Sequence, residues 1–108
     1  MANTFTSYAN KSVGTSAATV VTIGASTQTT VIGMSCANTT TSPVTVDVYF
    51  TRSAVDYYLV DGATVPVGGA LVVVGGDQKV VLTTGDALKV ISSAASSIDV
   101  VTSVLNIT

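Results

Sequence analysis

Val44-Thr45-Val46-Asp47-Val48-Tyr49-Phe50-Thr51 is the stretch that decides the fold. Val44, Val46, Val48 and Phe50 alternate with Thr45, Asp47, Tyr49 and Thr51. A period of two is what a strand with one buried face requires, because successive side chains leave the pleat on opposite sides. Valine and threonine both branch at Cβ, which stiffens χ1 and suits a pleated surface better than a helix. Valine is also the commonest residue of the chain.

Similar runs recur outward from this one, separated by Gly, Asn, Asp, Ser and Pro. Upstream lie Thr4 to Val13, Ala18 to Ile23 and Thr30 to Ala37. In the last of these, Ile32, Met34 and Cys36 are expected on one face and Val31, Gly33 and Ser35 on the other. Asn38 to Pro43 reads as a loop, since Pro43 lacks a donor and biases Ser42 to extended conformations. Downstream, Arg52-Ser53-Ala54 is a short break before Val55 to Val60. Asp61-Gly62 then predicts a type I′ hairpin leading to Ala63-Thr64-Val65, because both central positions of that turn need positive φ. Gly68-Gly69 opens Ala70 to Val74 and Gly75-Gly76-Asp77 closes it. Lys79 to Leu82, a turn at Thr84-Gly85-Asp86, Ala87 to Ser92 and Ile98 to Ile107 complete the pattern. No window carries an apolar 3.6-residue stripe, so no helix longer than a turn is expected.

Eight or nine short strands at roughly ten-residue spacing predict an all-β, antiparallel β-sandwich or jelly roll, with residues 1–108 as one domain. Residues 1–10 are polar enough to extend as an N-terminal arm onto a neighbour, and their removal is expected to leave the fold intact. Leu71-Val72-Val73-Val74 and Val80-Val81-Leu82 are apolar on both faces, whereas a lone sandwich should be polar outside. Such strands imply an outer surface covered by another subunit.

Composition excludes several function classes. Only 9% of the residues are charged and the net charge is −2. The four cations, Lys11, Arg52, Lys79 and Lys89, are scattered, and Asp77 and Asp86 dilute two of them. Nucleic acid binding needs clustered Lys and Arg to displace counterions. The longest aliphatic run, Ala70 to Val74, is far short of the roughly 20 residues of a spanning helix. Met1 to Ser7 shows neither the basic region nor the apolar stretch of a signal peptide. Cys36 is the lone cysteine, so no internal disulfide can form, which fits assembly in a reducing compartment.

Catalytic chemistry finds little to work with. Histidine, the commonest general base, is absent, as is tryptophan. Gly33-Met34-Ser35-Cys36-Ala37 looks superficially like a nucleophile elbow, but it falls inside a predicted strand and has no base partner. Asp61, Asp77 and Asp86 sit beside glycines, the ordinary place for a turn aspartate. They do not make the dense oxygen loop of a calcium site, although a calcium ion bridging two subunits would need fewer ligands from each. Gly75-Gly76-Asp77-Gln78-Lys79 lacks the spacing of a phosphate loop. Neither a catalytic residue, a cofactor nor a metal site is expected. The aromatics carry more weight: Tyr57 and Tyr58 are adjacent and must face opposite ways, and Tyr49 lies opposite Phe50. Tyrosine is enriched at interface hot spots. Tyr49, Tyr57 and Tyr58, together with Phe5 and Tyr8 of the N-terminal segment and Asn38, Thr39, Thr40 and Thr41 of the polar loop, are the expected contact residues.

Val65-Pro66-Val67-Gly68-Gly69-Ala70-Leu71-Val72-Val73-Val74-Gly75-Gly76-Asp77-Gln78-Lys79-Val80-Val81-Leu82, continuing through Thr84-Gly85-Asp86 and Ser92 to Ser97 as far as Asp99-Val100, resembles a cassette in small virion proteins of tailed phages, especially those of cyanobacterial and marine hosts. Ile32-Gly33-Met34-Ser35-Cys36-Ala37-Asn38-Thr39-Thr40 resembles the start of that cassette, so the likeness spans roughly residues 30 to 108. It implies a structural protein of the virion, assembled in the host cytoplasm. The favoured role is a capsid decoration (cement) protein, bound as a homo-oligomer, a trimer, to major capsid subunits. The alternatives are a neck, collar, tail or fibre-attachment component, and after them a glycan-binding module, against which the missing tryptophan counts.

Overall fold

Val44, Val46 and Val48 turn inward and are buried, while Thr45, Asp47 and Tyr49 face out, as their spacing requires. The computed structural model describes residues 2–75 and 78–108. Met1, Gly76 and Asp77 lie outside the described residues, and with them part of the expected Gly75-Gly76-Asp77 turn. In chain order the strands are β1 (Asn3–Val13), β2 (Ala18–Thr22), β3 (Gln28–Asn38), β4 (Val44–Arg52), β5 (Val55–Val65), β6 (Ala70–Val74), β7 (Val80–Thr83), β8 (Ala87–Ser92) and β9 (Ile98–Ile107). No helix occurs among the described residues.

Two antiparallel sheets stack face to face. The first, sheet A, runs β1-β9-β3-β6, with β7 beside the other half of β3; the second, sheet B, runs β2-β8-β4-β5. The chain changes sheet at every connection except β4 to β5 and β6 to β7, which is the winding of a jelly roll. Met34, Leu82, Leu88, Ile98 and the valines 31, 46, 48, 90 and 100 fill the space between the sheets, each at most 2% exposed.

Three local departures from the sequence reading have physical causes. Asp61-Gly62 does not form a hairpin. Between the pairs Val46↔Ala63 and Val48↔Val60, the two residues together oppose the single Asp47, so they form a β-bulge inside one continuous β5. Gly62 takes φ +70° there, and its N–H donates to Asp47 Oδ1 at 2.6 Å. The hairpin lies instead at Ser53-Ala54, where Arg52 pairs with Val55 and both loop residues have positive φ (53° and 63°). That is type I′ geometry without its preferred Asn-Gly.

A second bulge, at Ile32, lies between the pairs Val31↔Val104 and Gly33↔Ser103. One extra residue reverses the phase of the alternation. Val31 is therefore buried with Met34 and Cys36, and Ile32 is displaced toward the outer side. The third departure is at the N-terminus. Asn3 to Asn10, read as a segment able to extend as an arm, run as the edge strand β1 and pair residue for residue with Ile107 back to Val100 of β9. The segment is therefore part of sheet A, and removing it would strip that sheet of its edge strand and leave β9 unpaired along that side.

Candidate functional site

The two outer faces of the sandwich differ in charge. The strands of sheet B carry Asp47, Arg52, Asp56, Asp61 and Lys89. Those of sheet A carry Lys11 and Asp99 alone, and these neutralise each other at 3.1 Å near one end. Large apolar side chains nevertheless stand out from sheet A: Phe5 is 76% exposed, Val72 67%, Val81 55% and Val101 52%. A solvent-facing sheet normally alternates apolar-in with polar-out. This face does not.

Register places these residues in rows, since partners directly opposite in an antiparallel pair share a face. Phe5, Leu105, Thr30 and Val81 form one row across β1, β9, β3 and β7. Ser7, Ser103 and Gly33 form the next, made only of small residues. Ala9, Val101, Ser35 and Val72 form the third. A tall row, a low row and a second raised row make a ridge, a groove and a ridge. Phe5 flanks the groove, and a shallow hollow of about 360 Å³ opens there between Phe5, Ile32, Ser7 and Ser103. Val72 and Val81 were legible as doubly apolar runs; Leu105 and Val101 were not singled out, because only the pairing of β9 shows which of its residues face out.

The expected contact residues separate into three groups. Phe5 stands on the sheet A face, whereas Tyr8, on the opposite side of β1, is half-buried against the core. Tyr49 and Tyr58 are cross-strand partners on the outer face of sheet B, with ring centroids 5.0 Å apart. Tyr57 faces the other way and stacks on Phe50 at 5.4 Å, with the Arg52 guanidinium 5.1 Å from the Phe50 centroid. Partial burial, and then the negative charge of Asp56, raise the Tyr49 hydroxyl above its usual pKa, so it stays protonated as a donor.

Asn38 works inside its loop. It is 6% exposed, donates from Nδ2 to Ser42 O and Val65 O, and accepts on Oδ1 from the Thr40 N–H and Oγ1. Thr39 donates to Ser97 O, and Thr41 is exposed. The loop is therefore held in shape by its own polar groups together with the Val65 and Ser97 carbonyls, leaving Thr39 and Thr41 at the surface.

The described titratable groups meet as ion pairs, Lys11 with Asp99 and Arg52 with Asp86. Among the described residues, no three of His, Cys, Asp and Glu come together as a metal site needs. Asp86 is buried against Arg52, and Cys36 lies in the core, where desolvation pushes its thiol up to about 11. An open cleft of about 510 Å³ at one end of the sandwich is lined by Ser26, Thr27, Gln28, Thr83, Thr84 and Ile107, with Thr108 at its rim. Hydroxyls and an amide can hydrogen-bond there, but none of those side chains gains or loses a proton near neutral pH.

No protein-family model matches the chain, and no curated protein matches it. Among solved structures, its fold is similar to a chain described under "Bacillus endospore appendages form a novel family of disulfide-linked pili", with a TM-score of 0.56, 15% identity, and coverage of 99% of this chain and 87% of that one. At that identity the likeness shows a shared fold. It ties the chain to no phage protein.

Proposed function

We propose that this chain is a non-catalytic structural subunit whose sheet A face is buried against other protein in a large assembly. The observation that carries this reading is a face whose strands hold no charge but the paired Lys11 and Asp99, with Phe5, Val72, Val81 and Val101 standing out from it. Covering each such side chain contributes at most about 1.5–3 kcal/mol. Association costs about 4–15 kcal/mol in lost freedom, so a single contact is weak. A subunit held at several points in a lattice stays bound, because all contacts must release together.

The assembly we favour is a tailed-phage virion, with the chain as a decoration protein on the head shell. Residues 30–108 resemble small virion proteins of that kind, and one short jelly roll suits a surface knob. A neck, tail or fibre-attachment position in the same particle is the alternative within this reading. Imaging virions made with and without the chain tests it. Loss of knobs from the shell supports decoration, loss of a neck or tail feature supports the alternative, and indistinguishable particles defeat both.

A filament subunit is the second reading, favoured by the fold shared with the endospore appendage chain over 99% of this one. Disulfide linkage does not carry over to the described core, because Cys36 is fully buried. Electron microscopy of the purified protein separates the two readings: filaments support the second, and discrete small oligomers the first.

A further inference from the structure

We propose that the sheet A face closes on the same face of a second copy, as a twofold pair in which Phe5 of each copy enters the Ser7–Ser103–Gly33 groove of the other. This deepens the structural-subunit reading and rests on it. A twofold contact must be self-complementary, since the same patch serves both partners. The face supplies both halves of such a fit. The Phe5–Leu105–Thr30–Val81 row is the ridge, and the adjacent row of two serines and a glycine is the groove. Successive rows on one face lie two residues apart, roughly 6.6 Å along the strands. A twofold axis between ridge and groove sets each ridge over the partner's groove.

The rest of the register then falls into place. The Ala9–Val101–Ser35–Val72 row comes over the partner's row of Asn3, Ile107, Gln28 and Thr83, which is again uncharged. The charged residues of these strands, Lys11 and Asp99, lie one row further along and project past the partner's end into solvent. Lys79, exposed and one residue before β7, borders the contact at the β7 edge of the groove row, so the central lanes of β1, β9 and β3 are the uncharged part of the contact. With charge confined to the margins of the contact, that placement favours a second copy over a strongly charged partner, which would find no charge to pair with in the central lanes of β1, β9 and β3. Four rows on four strands about 4.8 Å apart give a planar footprint of roughly 500 Å². That falls short of the roughly 600 Å² per copy at the lower end of standard stable interfaces. A weak pair, forming at micromolar concentrations, follows in place of the trimer expected from the resemblance.

Sedimentation equilibrium on the purified chain tests this, with Phe5→Asp to remove the ridge and Ser103→Phe to fill the groove. Both sites are exposed, so thermal unfolding of both variants should match the parent. The parent is expected to show a monomer–dimer equilibrium and each variant to weaken it at least tenfold. As a second reading, the Phe5→Cys variant mixed with the Ser103→Cys variant should form a mixed disulfide faster than either variant alone forms its own. A parent that stays monomeric at millimolar concentration overturns the pair, as does a dimer indifferent to both variants. If the parent is monomeric while Phe5→Asp still loses its place in the particle, the face serves a different protein: the pair falls and the structural role stands. A dimer with these properties that is found in no particle or filament supports the pair and removes the functional reading.

Discussion

Arg52 and Asp86, 34 residues apart, form a two-pronged ion pair, with Nη2 2.6 Å from Oδ2 and Nε 2.9 Å from Oδ1. The pair ties the end of β4 to the turn before β8. Asp86 is 1% exposed and also accepts the Thr83 N–H at 2.8 Å. The hydrogen bonds from Arg52 outweigh desolvation and hold the Asp86 carboxyl below its usual range, with Thr83 adding to the effect. A carboxylate depressed in the folded state contributes stability that is present above its unfolded pKa, about 3.9, and is lost as pH falls through the folded value. Asp99 adds in the same direction, through the Ser12 N–H first and Lys11 second.

Stability should therefore be level from neutral pH to about pH 5 and decline below about pH 4. Asp86→Asn should lose about 2 kcal/mol at pH 7 and decline less steeply in acid. Urea unfolding across pH measures both, and an unchanged acid slope in the variant would show that Asp86 is not the group responsible.

The thiol of Cys36 should be unreactive in the folded protein. It is fully buried and its pKa is pushed up to about 11, so almost no thiolate exists at neutral pH. A thiol-specific reagent should label it only in denaturant. Reductant should leave any assembly of the chain unchanged, and rapid labelling of the native protein would contradict the burial.

At the β4–β5 bulge, Gly62→Val should destabilise by about 1–2 kcal/mol, the cost of a left-handed conformation for a residue with a Cβ. Nothing lies within 4 Å of the position a Cβ would take, so a loss of this size reports backbone strain and not a clash. Asp47→Ala should cost about 1 kcal/mol through loss of the bond to the Gly62 N–H. Chemical denaturation reads both.

The Ser53-Ala54 turn offers a gain. Both residues sit at positive φ, and replacing them with Asn-Gly, the pair that geometry prefers, should stabilise by about 1 kcal/mol. A neutral or lower melting temperature would contradict the type I′ assignment.

The strands were legible wherever the alternation was unbroken: Ala87–Ser92 and Ile98–Ile107 fall where composition and turns put them. The hairpin was misplaced because Asp-Gly satisfies a G1-type bulge as well as a turn, both needing a residue at positive φ. The sequence holds no local sign that separates the two. Ile32 was put on the wrong face for a related reason, since a bulge is invisible until the partner strand fixes the register. The site was half legible. Val72 and Val81 announced an apolar outer face, but the groove of Ser7, Ser103 and Gly33 brings together three distant segments of ordinary small residues, and Arg52 with Asp86 likewise meet only through the winding of the sheets.

The most direct measurement is methyl NMR of the valines as the protein concentration is raised. Val72, Val81 and Val101 on the sheet A face should shift and lose access to a soluble paramagnetic probe, while Val55 and Val67, similarly exposed but off that face, should not change. Equal response from both sets, or none from either up to millimolar concentration, would contradict the claim that the sheet A face is where this chain meets its own copies.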